Sequence, residues 1–140
     1  MANKMYPLYA QELMKGTSNN LLNSAEGATG VFVALVDTGT YTYSDAHQFY
    51  SSLSGIVGTD QEILTKTQVT GIFDGDDVTF PSVSGATCEA VVFYRKNAGA
   101  NTTWPLIFYK DTGVTGLPVT PNGYDILLTW NASGIFKIGG

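Results

Sequence analysis

Residues 30–38 read "GVFVALVDT". Val31, Phe32, Val33, Ala34, Leu35 and Val36 follow one another without a polar break. A half-exposed strand alternates apolar and polar residues, so an unbroken run of this length predicts a strand buried on both faces. Whatever the rest of the chain does, it has to cover that strand from two sides.

The remaining sequence offers mainly further strands. "EILTKTQVTG" (62–71) is rich in β-branched residues, and "DDVTFPSVSG" (76–85) places Val78 and Phe80 on one face, with Pro81 suited to a strand end. "TCEAVVFYRK" (87–96), "TTWPLIFYKD" (102–111) and "YDILLTWN" (124–131) carry the strongest strand patterns, and "GIFKIGG" (134–140) follows the turn "NASG". In "YDILLTWN", Tyr124, Ile126, Leu128 and Trp130 alternate with Asp125, Leu127 and Thr129. "TPNG" (120–123) is a turn in which Pro121 presets φ and Gly123 can take positive φ. The connection from Lys110 to Tyr124 is longer than a hairpin needs and is expected to cross between sheets.

Helix is expected in two places. In "SDAHQFYSSLSG" (44–55), Ala46, Phe49, Tyr50 and Leu53 fall at i, i+3, i+4 and i+7, with Ser44 or Asp45 as cap and Gly55 as stop. "YPLYAQELMKG" supports a second, short helix ending at Gly16, and "GTSNNLLNSAEGATG" reads as an irregular connector. The expected fold is therefore mainly β. It is a two-sheet β-sandwich, jelly-roll or Greek-key like, with one short helix near 44–54 and an N-terminal arm. Residues 1–29 form the arm and residues 30–140 the sandwich domain. The arm packs along the domain or reaches toward a neighbour, and Tyr6, Leu8, Tyr9 and Leu13 are its candidate partner contacts.

Composition narrows the function classes. Charged residues make up 14% of the chain, against about 25% in ordinary globular proteins, so the surface is built largely of Ser, Thr, Asn, Gly and Tyr. Such a surface is weakly protected against association, which favours a partner or a homo-oligomer. The net charge is −5, and "YRK" (94–96) is the sole place where two basic residues are adjacent. Nucleic acid and anionic membranes both demand clustered cations, so neither is an expected partner. No secretory h-region or long apolar span is evident, and synthesis in a cytoplasm is expected.

No catalytic constellation emerges. "DGDD" (74–77) lacks the spacing and the closing Glu of a calcium loop and reads as a turn before a strand. His47 is the only histidine and Cys88 the only cysteine, too few for a zinc site, and Cys88 shares a strand face with Ala86, Ala90 and Val92 as a small buried hydrophobe. His47 is expected to be exposed or capping. No phosphate loop is present, and no cofactor is expected. Trp104, Tyr41 and Tyr43 are candidates for a sugar platform, although aromatics more often fill cores or protein interfaces. "NTT" (101–103) and "NAS" (131–133) match the glycosylation pattern by composition.

The segments "VALVDTGTYTYSDAHQFYSSL", "FDGDDVTFPSVSG", "EAVVFYRKNAG", "WPLIFYKDTGVTGLPVTPNGYDI" and "TWNASGIFKI" together resemble a group of small structural proteins of tailed bacteriophages. The resemblance spans roughly residues 30–138, and its motifs are strands and turns. Tyr124 departs from the family pattern, which has a second Gly after "PNG". The resemblance implies a non-enzymatic virion component on the capsid exterior. The preferred form is a decoration or cement protein that binds the major capsid protein and forms homo-oligomers. A neck or tail component, or a carbohydrate-binding module of a fibre, are the alternatives.

Overall fold

The computed structural model describes residues 3–20, 22, 26–27 and 29–138. Residues 21, 23–25 and 28 of the expected connector and the last two residues of the expected C-terminal strand lie outside them. In chain order the strands are β1 (Lys4–Met5), β2 (Gly30–Val36), β3 (Ile56–Glu62), β4 (Thr67–Val69), β5 (Ile72–Asp74), β6 (Val78–Phe80), β7 (Ala90–Lys96), β8 (Leu106–Lys110), β9 (Ile126–Leu128) and β10 (Phe136–Lys137). A single α-helix, α1 (Pro7–Met14), stands among the described residues. All strand pairs are antiparallel, and they form sheets of order β1-β8-β7-β2-β3, β10-β5-β4 and β6-β9.

The unbroken apolar run sits where its composition demands. β2 lies inside the main sheet between β7 and β3, and of its seven residues only Phe32 is partly exposed. Residues directly opposite on antiparallel strands share a face, so the register separates two rows. Val33 faces Phe93, which faces Phe108, while Ala34 faces Val92, which faces Tyr109. The first row packs on the small sheets: Phe93 meets Trp130 and Phe136 at ring centroid distances of 5.4 and 5.8 Å, and Phe108 stacks on Phe136 at 4.7 Å. The second row is covered by the segment between β2 and β3, whose Tyr41 and Tyr43 reach Tyr109 at 6.5 and 5.6 Å.

That covering segment is not the expected helix over 44–54. Ser44 does cap, accepting from the Ala46 N–H at 3.1 Å, but this closes only a turn. The chain then extends, with Phe49 at φ −123° and ψ 158°, and only Tyr50–Ser52 coil into a 3₁₀ turn. The reason is competition for backbone hydrogen bonds. The Leu106 N–H donates to the Gln48 carbonyl (2.8 Å), and the Tyr50 N–H donates to the Trp104 carbonyl (2.9 Å). A short helix with a Ser-rich face gains less than this docking onto the approach to β8.

Other expectations shift at their edges. The strand over 62–71 is divided between the end of β3 and β4, and seven expected strands become ten because β1, β5 and most of β3 carry little alternation of their own. α1 forms as expected before Gly16. β8 lies in the main sheet and β9 in a small one, so the 110–124 connection does cross between sheets. Within it, Thr115 pairs with Thr129 and Val119 with Cys88, and the Leu117–Pro118 bond is cis. Gly116 has φ +112°, and a Cβ there would lie 2.6 Å from the Leu127 carbonyl oxygen, so no larger residue fits. Gly123 has φ +90° in the turn after Asn122, and its N–H donates to the Val83 carbonyl at 2.7 Å.

The arm packs along the domain. β1 closes one edge of the main sheet, and the Asn3 side chain accepts from the Asp111 and Thr112 N–H groups (2.8 and 3.1 Å) and donates to the Thr112 carbonyl (3.2 Å). Tyr6 and Tyr9 belong to the same core cluster as β2 and β7.

Candidate functional site

The candidate contacts of the arm separate into two kinds. Tyr6 and Tyr9 are 0% and 1% exposed, so in this chain they are core residues. Leu8 is half-buried and Leu13 packs from the side against the core. The Tyr6 hydroxyl lies 2.7 Å from that of Tyr41, which lies 2.8 Å from His47 Nδ1. With Nδ1 accepting, Tyr41 donates to His47 and Tyr6 donates to Tyr41. Burial, then the bond to Tyr41, pushes the Tyr6 hydroxyl far above the usual tyrosine range. His47 is thus half-buried at the end of a hydrogen-bonded chain that ties the arm to the covering segment. At the surface, Lys4 pairs with Asp45 at 2.7 Å, a contact that solvent screens because both groups are exposed.

The acidic run "DGDD" is absorbed by local structure. Asp74 Oδ1 accepts from the Gly75 N–H (2.9 Å), and Asp76 from the Thr65 hydroxyl (2.8 Å). Trp130 donates its backbone N–H to Asp77 (3.0 Å) and its indole N–H to the Asp76 carbonyl (2.8 Å). No group of three or more His, Cys, Asp or Glu among the described residues is placed to hold a metal ion. Cys88 is fully buried, and burial, followed by the nearby Glu89 and Asp37 charges, pushes its thiol up to about 11. No helix among the described residues is long and apolar enough to cross a membrane.

Of the three platform candidates, Tyr41 is buried and Tyr43 packs on Tyr6 at 4.9 Å. Trp104 stands elsewhere, and around it the fold gathers residues that no sequence window connects. β2 supplies Phe32, β3 supplies Asp60, β7 supplies Tyr94 and Lys96, and the 3₁₀ turn after Phe49 supplies Tyr50. Phe32 and Tyr94 are opposite each other in the sheet, with centroids 5.9 Å apart. Trp104 lies parallel to Tyr94 at 6.0 Å and edge-on to Tyr50 at 5.3 Å, and its indole N–H is fixed on the Gly99 carbonyl at 3.0 Å. The rings and Asp60 line a cleft of about 470 Å³, with Gly58, Thr59 and Asn101 at its exposed rim.

Two charges enter this cleft. Asp60 Oδ2 accepts from the Tyr94 hydroxyl at 2.6 Å and the Tyr50 hydroxyl at 2.9 Å. Asp60 Oδ1 is out of solvent and has no hydrogen-bond partner. Burial raises the Asp60 carboxyl above the usual range, against the lowering effect of the two hydroxyls and of Lys96. Lys96 sits opposite Gly30, where no side chain competes for room, and its ammonium lies 5.2 Å from the centroids of both Phe32 and Trp104. Arg95 points to the other face and donates to Asn19 of the arm at 2.9 and 3.0 Å. The only adjacent basic pair is therefore split across the sheet and makes no cationic patch.

The sequence signal for this site is thin. Alternation in "VVFYRK" puts Tyr94 and Lys96 on one face, and Trp104 stands out by type, but Asp60 lies in a stretch without a strand pattern. Tyr50 falls within the expected helix. Comparison with protein-family models and with characterised proteins finds no match for the chain.

Proposed function

We propose that this chain is a non-enzymatic structural protein of a tailed-phage virion, a capsid decoration or cement protein that binds the major capsid protein on the particle's exterior and forms homo-oligomers. The observation that carries this reading is the placement of the segments on which the resemblance rests. "VALVDTG", "DDVTF", "EAVVFYRK" and "LIFYKD" become β2, β6, β7 and β8, and "TGLPVTPNG" becomes the paired connection to β9. They are framework pieces, consistent with a protein whose work is done by its shape and surface.

On the same reading, the main sheet and the two small sheets opposite it are the leaves of a β-sandwich of jelly-roll or Greek-key type, joined by the contacts of Phe93 and Phe108. The contact surface is assigned to the small sheets rather than to Tyr6 and Tyr9. Val69 on β4, Leu127 on β9 and the neighbouring Tyr124 are 62%, 58% and 74% exposed. Large apolar groups of this kind form the centre of protein interfaces. β4 is also the terminal strand of its sheet, with backbone groups free on one side for strand addition.

Copy number in purified virions, by quantitative mass spectrometry against the major shell protein, tests the reading. A ratio near that of the shell protein is expected. A ratio matching a single ring moves the chain to the neck or tail, and absence from washed particles removes the virion role.

A further inference from the structure

We propose that the cleft between β2, β3, β7 and the 101–104 turn is a binding site for a neutral pyranose unit of a glycan. The site is independent of where in a particle the chain sits.

A pyranose has a ring of C–H groups on its faces and hydroxyls around its edge. The cleft offers a counterpart to each. Trp104 and Phe32 present aromatic surface, and Trp104 is held in place by its indole hydrogen bond and by its stacking on Tyr94. Asp60 Oδ1 is a buried acceptor with no donor, an arrangement that a hydroxyl hydrogen corrects at once. The Lys96 ammonium is held over two rings, and no carboxylate forms an ion pair with it among the described residues. It remains free to donate to a hydroxyl oxygen. Asn101 adds an exposed amide at the rim. An acceptor and a donor on one aromatic-walled cleft match two adjacent hydroxyls, one giving its proton to Asp60 and the other accepting from Lys96.

The same groups disfavour the other ligand classes. A cationic ligand meets the positive charge of Lys96 at the cleft wall. An anionic one meets Asp60. A neutral polyol opposes neither charge and uses both. The volume of about 470 Å³ is within the usual range for small-molecule sites.

The test uses the full chain with methyl glucoside, galactoside, mannoside and N-acetylglucosaminide, and with linear oligosaccharides of the same sugars. Binding is read by saturation-transfer NMR and by tryptophan fluorescence. At least one pyranoside is expected to bind at millimolar concentration and to change the Trp104 emission, a change lost in Trp104→Phe. A glycoside that binds alone identifies a chain end as the ligand, whereas binding confined to oligosaccharides identifies an internal unit. Asp60→Asn and Lys96→Met are each expected to weaken binding about tenfold. Lys96→Met lies at the cleft wall, away from the buried hydroxyl bonds, and keeps the test decisive if Asp60→Asn loses stability. Failure of every sugar to bind overturns the proposal, as does binding that both variants leave unchanged.

Discussion

On one face of the main sheet Phe93 and Phe108 meet Trp130 and Phe136 ring against ring; on the other, Tyr6, Tyr41, Tyr94 and Tyr109 are buried and Tyr50 is partly buried. The first face is held by dispersion and the removal of apolar area from water, which need volume but no direction. The second also buries rings and adds directional bonds. Tyr6 is tied to Tyr41, Tyr41 to His47, and Tyr50 and Tyr94 to Asp60. A buried hydroxyl without a partner is costly, so this face tolerates only one arrangement of its cover. It is also the face where the cover stops short and the cleft opens. A hydrogen-bonded layer can be rigid at its margin, where a purely apolar one would be driven to close over the gap.

The contrast between the faces breaks most forcefully on the apolar one. Phe93 is fully buried between two rings, and Phe93→Ala is expected to cost about 3–5 kcal/mol in urea unfolding, with loss of near-ultraviolet ellipticity from Trp130. A loss below about 1 kcal/mol would mean that the small sheets are not packed on this row.

On the hydroxylated face the ring stays and only the bond is removed. Tyr94→Phe is expected to cost about 1–3 kcal/mol, because Asp60 keeps one of its two donors and remains buried. Tyr6→Phe should cost about 1 kcal/mol, since Tyr41 retains His47. Equal effects in Tyr94→Phe and Tyr6→Phe would show that the charge on Asp60 adds nothing.

The pH dependence sharpens the contrast further. The folded-state pKa of Asp60 is raised by burial, so the folded chain keeps its proton at pH values where the unfolded chain, titrating near about 4, has lost it. Its contribution to stability is therefore full below the unfolded value and declines as pH rises through the folded one. In Asp60→Asn that decline should vanish, and the difference in urea midpoint between variant and wild type should move steadily in the variant's favour across this window. Parallel curves would contradict the assignment. The tyrosines behave alike at alkaline pH: burial raises Tyr109 to about 12, so stability on this face falls as pH climbs above about 10. Phe93→Ala leaves both dependences in place.

The smallest effect is expected outside both faces. Tyr124 is 74% exposed, and Tyr124→Ser should change stability by no more than about 0.5 kcal/mol while weakening attachment to partner particles in a pull-down. Its unusual position after "PNG" is thus a surface feature and not a packing one.

The apolar face is legible in the sequence. The run 31–36, buried but for the partly exposed Phe32, and the alternation of Ile126, Leu128 and Trp130 name the residues that are buried, because burial in a strand follows from composition and a period of two. Tyr124 breaks that alternation only at its first residue, beyond the start of β9. The other face is not legible at its centre. Ala46, Phe49, Tyr50 and Leu53 have helical spacing, yet the backbone of this segment is extended against Pro105. Local spacing measures what a segment could bury, not which hydrogen bonds compete for it.

The sequence alone determined that this chain is mainly β, that its longest apolar run is covered twice, and where its punctuating Gly and Asn residues turn the chain. These properties are local, set by each residue's own size, polarity and backbone freedom. The tertiary structure decided which Tyr hydroxyls meet, that the arm joins the core, and that Asp60 faces Tyr94 across 34 residues of chain. Such pairings depend on strand order and register. A shift of a single residue would turn Tyr94 and Lys96 to the opposite face, and the cleft would not exist.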